Sequence, residues 1–310
     1  MGTLALHVAA TEPQTAAATI RARADEGATL VALGAYDALS AAMVERAGFD
    51  AVYVGSYAGD AAARLYPDVG LADRSMRREL VANICNAVDV PVFADIEEGW
   101  GGPLAMETVV REFELAGAAM VHLDDQVAPG ICPYLPGVPP VRLVEVDAMC
   151  EKIAAAAAGR EGEMLIVARS DVTGFVRNGA YTDAQREELV DRTNAYLAAG
   201  ADAAMVGTYS LDDIDWFAER IDGPLIGLFE DALPHAVEAF ERAGYLMVLG
   251  PTMLLFAAIK GMSDALDAFR RSGDWNEVKA EMAGADDFYE IIGWERYRSE
   301  IAARAEGAKA

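Results

Sequence analysis

Carboxylates recur wherever a short apolar run of this sequence ends. Asp95 and Glu97 close the run in DIEEGWG (95–101), Asp124 and Asp125 the run in HLDDQ (122–126), and Asp171 follows Arg169 in IVARSD (166–171). Tyr36 and Asp37, Gly55 with Ser56 and Tyr57, Thr208 and Glu230 end other runs. Several carboxylates aimed at one small opening raise one another's pKa unless a cation joins them. A divalent metal meets that need. Oxygen donors point to Mg2+ or Mn2+, and three histidines in all, His7, His122 and His235, cannot build a His-rich zinc site. The Asp95 and Glu97 spacing sets both on one side of an extended segment; the bland alternatives are a helix cap or pairing with arginines. Adjacent acids such as Asp124 and Asp125 often include one cap residue. Asp68, in YPDVG (66–70), is placed either to orient water on the metal or simply to make a turn.

Arg169 is the one basic residue among these run ends. A guanidinium beside a metal-held anion offers bidentate contacts to a substrate carboxylate, unless it merely neutralises Asp171. Other chemistries lack their residues. The four lysines, Lys152, Lys260, Lys279 and Lys309, end no apolar run, which argues against Schiff-base and pyridoxal catalysis. His122 lies inside a run and reads as buried core, so a serine-histidine pair is poorly supported. Metal-assisted enolate chemistry remains: a 2-oxo or 2-hydroxy acid chelates the cation through its carboxylate and adjacent oxygen.

The elements that must position these residues are legible as well. Strands are expected at 30–33, 51–55, 90–95, 119–124, 164–169, 203–207, 225–228 and 246–249, each nearly continuous in apolar character, as parallel strands covered on both faces are. Between them run amphipathic helices. Asp37 and Asp73 suit N-caps, Pro103 a first helical position, and Thr182 with Gln185 a capping box. The junctions AGFD (47–50), AGAA (116–119), AGAD (199–202) and RAGY (242–245) each set glycine just past a helix. Eight strand-helix units in about 230 residues predict an α/β fold of the (β/α)8 TIM-barrel type, and no GxGxxG follows the first strand to suggest a doubly wound sheet. Helical stretches at about 252–271 and 285–305 follow, the second with Phe288, Tyr289, Trp294 and Tyr297, read as core or subunit packing. No linker divides the chain, so one domain over 1–310 is expected, with a C-terminal helical extension over about 252–305.

Of 310 residues, 50 are Asp or Glu and 25 Lys or Arg, for a formal charge of −25, and 53% are hydrophobic. The apolar fraction excludes disorder, and the excess acid disfavours nucleic acid and anionic membranes as partners. Cys85, Cys132 and Cys150 show no CxxC spacing, which implies neither a disulfide framework nor a zinc site. Residues 1–10 lack a secretory pattern and no uncharged apolar run reaches about 18 residues, so a soluble, cytoplasmic protein is expected.

In order, GAYDALSA (34–41), AVYVGSYAGDAA (51–62), YPDVGL (66–71), PVFADIEEGWG (91–101), VHLDDQVAPGICPY (121–134) and VARSD (167–171) resemble the isocitrate lyase and phosphoenolpyruvate mutase superfamily over about residues 28–257. The resemblance implies that Asp95 and Glu97 hold Mg2+, Glu97 replacing the usual second aspartate. Asp124 falls on the family's metal-site glutamate, one methylene shorter, which suits contact through water. Asp68 matches the aspartate of the family's Pro-Asp turn. Gly55, Ser56 and Tyr57 match the loop whose backbone N–H groups hold the substrate, with Tyr57 narrowing the pocket. Arg169 matches the family arginine, and Tyr36 completes the substrate-binding set. Cys132 falls on the gating-loop cysteine of the carbon-carbon lyases, but Gly130-Ile131-Cys132-Pro133-Tyr134 stands in place of Lys-Lys/Arg-Cys-Gly-His. A thiol without cationic neighbours stays protonated and is a donor rather than a base.

Gly207 and Leu228 stand where the tricarboxylate lyases carry glutamate and asparagine, so a smaller or more apolar acid is expected. The resemblance also implies a homotetramer that exchanges C-terminal helices. A Mg2+-dependent carbon-carbon lyase is the first reading, and decarboxylation or hydrolysis of an oxaloacetate-like acid the second. Phosphorus-carbon chemistry is third, because residues 126–140 contain no Lys or Arg to steady a phosphoryl group. A non-catalytic metabolite-binding barrel is the reading from another class.

Overall fold

The computed structural model describes residues 13–172, 180–229, 236–279 and 282–307. In chain order they form α1 (Pro13–Asp25), β1 (Leu30–Gly34), α2 (Ala38–Arg46), β2 (Ala51–Val54), α3 (Ser56–Arg64), α4 (Arg74–Cys85), β3 (Val92–Asp95), α5 (Pro103–Leu115), β4 (Met120–Asp124), α6 (Val146–Gly159), β5 (Leu165–Arg169), α7 (Asp183–Ala198), β6 (Ala203–Thr208), α8 (Leu211–Ala218), β7 (Leu225–Phe229), α9 (Ala236–Ala243) and β8 (Met247–Gly250). The strands close into a barrel in sequence order, with β8 pairing in parallel to β1. Each expected strand is present, with its ends within two residues. The fold is the predicted (β/α)8 barrel with additional C-terminal helices.

Alternate strand residues point inward and pack on one another. Leu30, Tyr53, Phe93, Met120, Val167, Met205, Ile226, Leu228, Met247 and Leu249 belong to one buried cluster that fills the barrel. The opposite residues, such as Ala204, Val206 and Val248, pack outward with Ile214, Phe217 and Phe240 from the helices. Each fully buried large apolar side chain contributes roughly 1.5–3 kcal/mol.

Local signals set the helix ends as expected. Asp37 and Asp73 accept from the N–H groups of Ser40 and Met76, Pro103 opens α5, and Thr182 with Gln185 closes a capping box on α7. Such caps are worth about 1 kcal/mol each. The junction glycines Gly117 and Gly200 have φ of +100° and +115°, which a residue with a Cβ rarely adopts.

Backbone contacts divide the chain into units of residues 1–253 and 254–310. The second unit holds most of α10 (Met253–Ser272), then α11 (Trp275–Lys279), α12 (Ala285–Ile291) and α13 (Trp294–Gly307). Phe256, Ile259, Met262, Leu266 and Phe269 recur at helical spacing on α10 and are exposed. Phe288, Tyr289, Trp294 and Tyr297, expected as core or subunit packing, are exposed in this chain. No helix among the described residues is long and apolar enough to cross a membrane.

Candidate active site

Strand register brings the charged run ends together. Asp95 lies beside His122, and Asp124 beside Arg169, in the pairings of β3 with β4 and β4 with β5. Asp95, His122 and Asp124 share the inward parity of Phe93 and Met120. Their side chains therefore converge above the apolar filling of the barrel. His122 is completely buried; its Nδ1 lies 2.8 Å from Asp124 Oδ1 and its Nε2 3.0 Å from the Tyr53 hydroxyl. The ring thus bridges the Asp124 carboxylate and the Tyr53 hydroxyl.

The chain after β2 supplies the next layer. Gly55 caps α3 without a side chain, and a Cβ there would lie 2.7 Å from the Tyr53 ring. Ser56 N–H donates to Asp95 Oδ2 at 3.0 Å, and its hydroxyl lies 2.8 Å from both Asp95 Oδ2 and Asp68 Oδ2. One hydroxyl hydrogen serves only one of these carboxylates. Glu97, just past β3, has a left-handed backbone with φ of +53°. Its N–H donates to Asp95 Oδ1 at 2.7 Å, and its carbonyl accepts from Asp124 N–H at 2.8 Å. A non-glycine residue held in this sparsely populated region costs about 1 kcal/mol or more and is characteristic of functional sites.

Burial and mutual repulsion shift these acids apart. Burial pushes Asp124 up to about 7, against the pull of Arg169 and His122. Burial, with Asp95 close by, pushes Asp68 up to about 6 and Glu97 well above the usual range. Burial would raise Asp95 too, but His122, Arg77, Arg169 and the Glu97 N–H outweigh it and hold this carboxyl below the usual range. Carboxyls driven in opposite directions within one pocket mark a functional site.

Arg169 meets Asp171, as one of its two readings expects, and also Asp124, which neither expects. Its Nε and Nη2 lie 3.0 and 2.9 Å from Asp171 Oδ1, and its Nη1 lies 3.6 Å from Asp124 Oδ2. Asp125 faces elsewhere: it accepts from Ser170, Tyr196 and the Asp171 N–H, and so anchors the turn after β5. The loop after β4 closes over the pocket. Gln126 exchanges two hydrogen bonds with the Ile131 backbone, Cys132 N–H donates to the Asp68 carbonyl at 3.0 Å, and Tyr134 packs on the barrel's interior cluster. Burial, with Asp68 nearby, pushes the Cys132 thiol up to about 12.

Tyr36 follows β1, with its N–H on Ser40 Oγ, and Tyr57 sits half-buried in the first turn of α3. Glu230, His7 and His235 lie outside the described residues. His122 is buried as expected, but its polar bonds make it part of the site rather than core filling. Arg77 and Asp60 escaped sequence reasoning altogether: Arg77 Nη2 lies 2.7 Å from Asp60 Oδ1 and 3.1 Å from Glu97 Oε1, with all three buried.

Two sets of donor atoms lie close enough to share a cation: Asp95, His122 and Asp124, and Asp60, Asp68 and Glu97. Both nitrogens of His122 are already engaged, which leaves oxygens as the available donors. That set suits a hard divalent ion, and the doubly claimed Ser56 hydroxyl is relieved when a cation joins Asp68 and Asp95. The residues therefore fit Mg2+ or Mn2+.

A closed barrel with carboxylates, an arginine and a covering loop at the C-terminal strand ends is the arrangement of a (β/α)8-barrel enzyme. Residues 20–270 match the family model described as phosphoenolpyruvate phosphomutase. The chain is 32% identical to a 2-methylisocitrate lyase from Aeropyrum pernix, over 89% of this chain and 88% of that protein. It is also 32% identical to a 2,3-dimethylmalate lyase from Eubacterium barkeri, over 87% and 91%. A crystal structure of phosphonopyruvate hydrolase in complex with oxalate and Mg2+ superimposes with a TM-score of 0.80 at 28% identity, covering 92% of this chain and 98% of the other. The chain belongs to the phosphoenolpyruvate mutase and isocitrate lyase superfamily of enzymes.

Proposed function

We propose that the chain is a Mg2+-dependent carbon-carbon lyase that cleaves a small 2-hydroxy or 2-oxo carboxylic acid through an enolate. The observation that carries this reading is a pair of neighbouring carboxylate sets, one with Asp95 and Asp124 and one with Asp68 and Glu97, linked by the Ser56 hydroxyl and the Glu97 N–H and tied to the loop after β4 through Cys132. The names of the lyase relatives support it. Asp95, Glu97, Asp124 and Asp68 hold the cation, with Mn2+ as a substitute. When bound, it stabilises negative charge on the substrate oxygen next to the breaking bond.

This chain's own residues do the rest. Arg169 pairs with the substrate carboxylate, Asp171 keeping the guanidinium oriented. Backbone around Gly55, Ser56 and Tyr57 at the α3 N-terminus, with Tyr36, borders the bound acid. Cys132 holds its proton at neutral pH and delivers it from Sγ to the enolate carbon, and the proton released from the substrate 2-hydroxyl as the carbon-carbon bond breaks returns to the thiolate. Across the mouth, the inward positions nearest the strand ends of β6, β7 and β8 are Gly207, Leu228 and Leu249, so the remainder of the substrate is short and apolar.

The test is turnover of a panel of 2-hydroxy diacids with and without alkyl substituents, in Mg2+, with detection of the 2-oxo acid released. Preferential turnover of oxaloacetate, or phosphate release from phosphonopyruvate, replaces this reading with one of its relatives.

We further propose a homotetramer that works in the reducing cytoplasm, each subunit a single functional domain with its C-terminal helices exchanged between partners. Three free thiols and the exposed apolar side chains of α10 to α13 support this. Light scattering is expected to give four times the 33.0 kDa chain mass; a monomer refutes it.

A further inference from the structure

We propose that Arg77, held by Asp60, is a positioning residue that sets the charge of the metal centre and fixes Glu97 at its edge. The inference rests on the metal-centre reading above and concerns two residues which that reading does not use. Arg77 enters from the first turn of α4 with no side-chain exposure, and its Nη2 donates to Asp60 on α3 and to Glu97 after β3. A buried guanidinium is costly unless paired, and it cannot shed its charge. Here it is a permanent cation among four carboxylates, Asp60, Asp68, Asp95 and Glu97.

The space around it is shaped to admit it. A Cβ on Gly59 would lie 3.1 Å from Arg77 Nη1 and 2.7 Å from Leu80. Yet the hydrogen bonding is incomplete: Arg77 Nε and Nη1 and Asp60 Oδ2 are buried without a partner. A group kept for its bonds alone would have them filled. What Arg77 supplies in full is charge, delivered to Glu97, whose backbone is already pinned between Asp95 and Asp124. Asp60 offsets that charge and keeps the guanidinium from drawing too much on the ligands.

The two residues should therefore act on a bound cation with opposite sign. Removing Arg77 leaves an extra negative charge beside the centre, and removing the charge of Asp60 leaves an extra positive one. The experiment is Mn2+ titration of the full chain, followed calorimetrically and by the resonance of free Mn2+, with circular dichroism to verify folding. Arg77→Met is expected to bind Mn2+ about tenfold tighter, Asp60→Asn about tenfold weaker, and the double variant within about threefold of the unaltered protein. A purely structural role weakens binding in both single variants and most in the double one, and that result overturns the inference. If Arg77→Met does not fold, Asp60→Asn and the double variant carry the test: weakening in the first reversed in the second supports the inference, and weakening in both overturns it. An unaltered chain that binds no Mn2+ overturns the metal-centre reading itself, and the inference with it.

Discussion

His122 and Asp124, two residues apart on β4, point to the same side of the barrel wall and meet through Nδ1 and Oδ1 at 2.8 Å. The far nitrogen of the ring lies on the Tyr53 hydroxyl, so a chain of three buried polar groups runs from the barrel filling up to the candidate metal centre. Tyr53→Phe removes one hydroxyl and leaves His122 Nε2 buried without its partner. The expected cost is about 1–3 kcal/mol in stability, read from urea unfolding, together with weaker Mn2+ binding because Asp124 loses its fixed orientation. An unchanged unfolding midpoint would show that the contact contributes nothing.

Acidity and metal binding should be linked in a defined direction. Asp68 and Asp124 are pushed up to about 6 and about 7 by burial. An acid whose pKa is higher folded than unfolded makes the native chain bind more protons, so without metal these two groups cost stability as pH rises from about 4 to about 7. Protons must leave before a cation binds, so the stabilisation by Mg2+ should grow over the upper part of that interval, by up to roughly tenfold in affinity per pH unit for each proton displaced. Thermal unfolding with and without Mg2+ reads both trends; a Mg2+ effect that stays flat with pH contradicts them.

Asp95→Ala removes the carboxylate that Ser56, Glu97 N–H and His122 all face. Loss of Mn2+ binding and of turnover is expected. Thermal stability and ligand affinity that stay as in the unaltered protein would make a non-catalytic metabolite-binding barrel the better account.

Cys132→Ser should fold normally, since the loop is held by Gln126 and by backbone bonds rather than by the thiol. Turnover is expected to fall by roughly 10²-fold or more if Sγ delivers the proton. Full activity in the serine variant removes the cysteine from the chemistry. Alkylation of this thiol at pH 8 should be slow as well, because burial keeps it protonated.

Much of this architecture could be read from the chain because strand ends, caps and junction glycines are local signals. Asp95, Glu97, Asp124 and Arg169 were visible as polar residues ending apolar runs, and register does the rest by pointing them inward. The misses share a cause. His122 looked like core because periodicity reports burial and says nothing of which polar neighbour waits inside; its even spacing from Asp124 was the available signal. Arg77 sits in RSMRREL (74–80), which reads as a solvated helix face, and its partner lies 17 residues earlier on another helix. Only the packing of α3 against α4 shows that the pair is internal. An aspartate in the small-residue stretch AGDAAA (58–63) was the one hint.

The uneven lining of the barrel mouth makes the pocket directional. Among the described residues, Asp95, Asp124 and Arg169 occupy one arc, and Gly207, Leu228 and Leu249 the opposite one. On the proposed function, an acid that enters head-first would exchange its water for the Arg169 guanidinium and the cation held by the carboxylates. One that enters tail-first presses its carboxylate against leucine and loses several kcal/mol of hydration with nothing in return. On that proposal, rejection of the backward pose thus precedes any chemistry and fixes which end of an asymmetric acid meets Arg169.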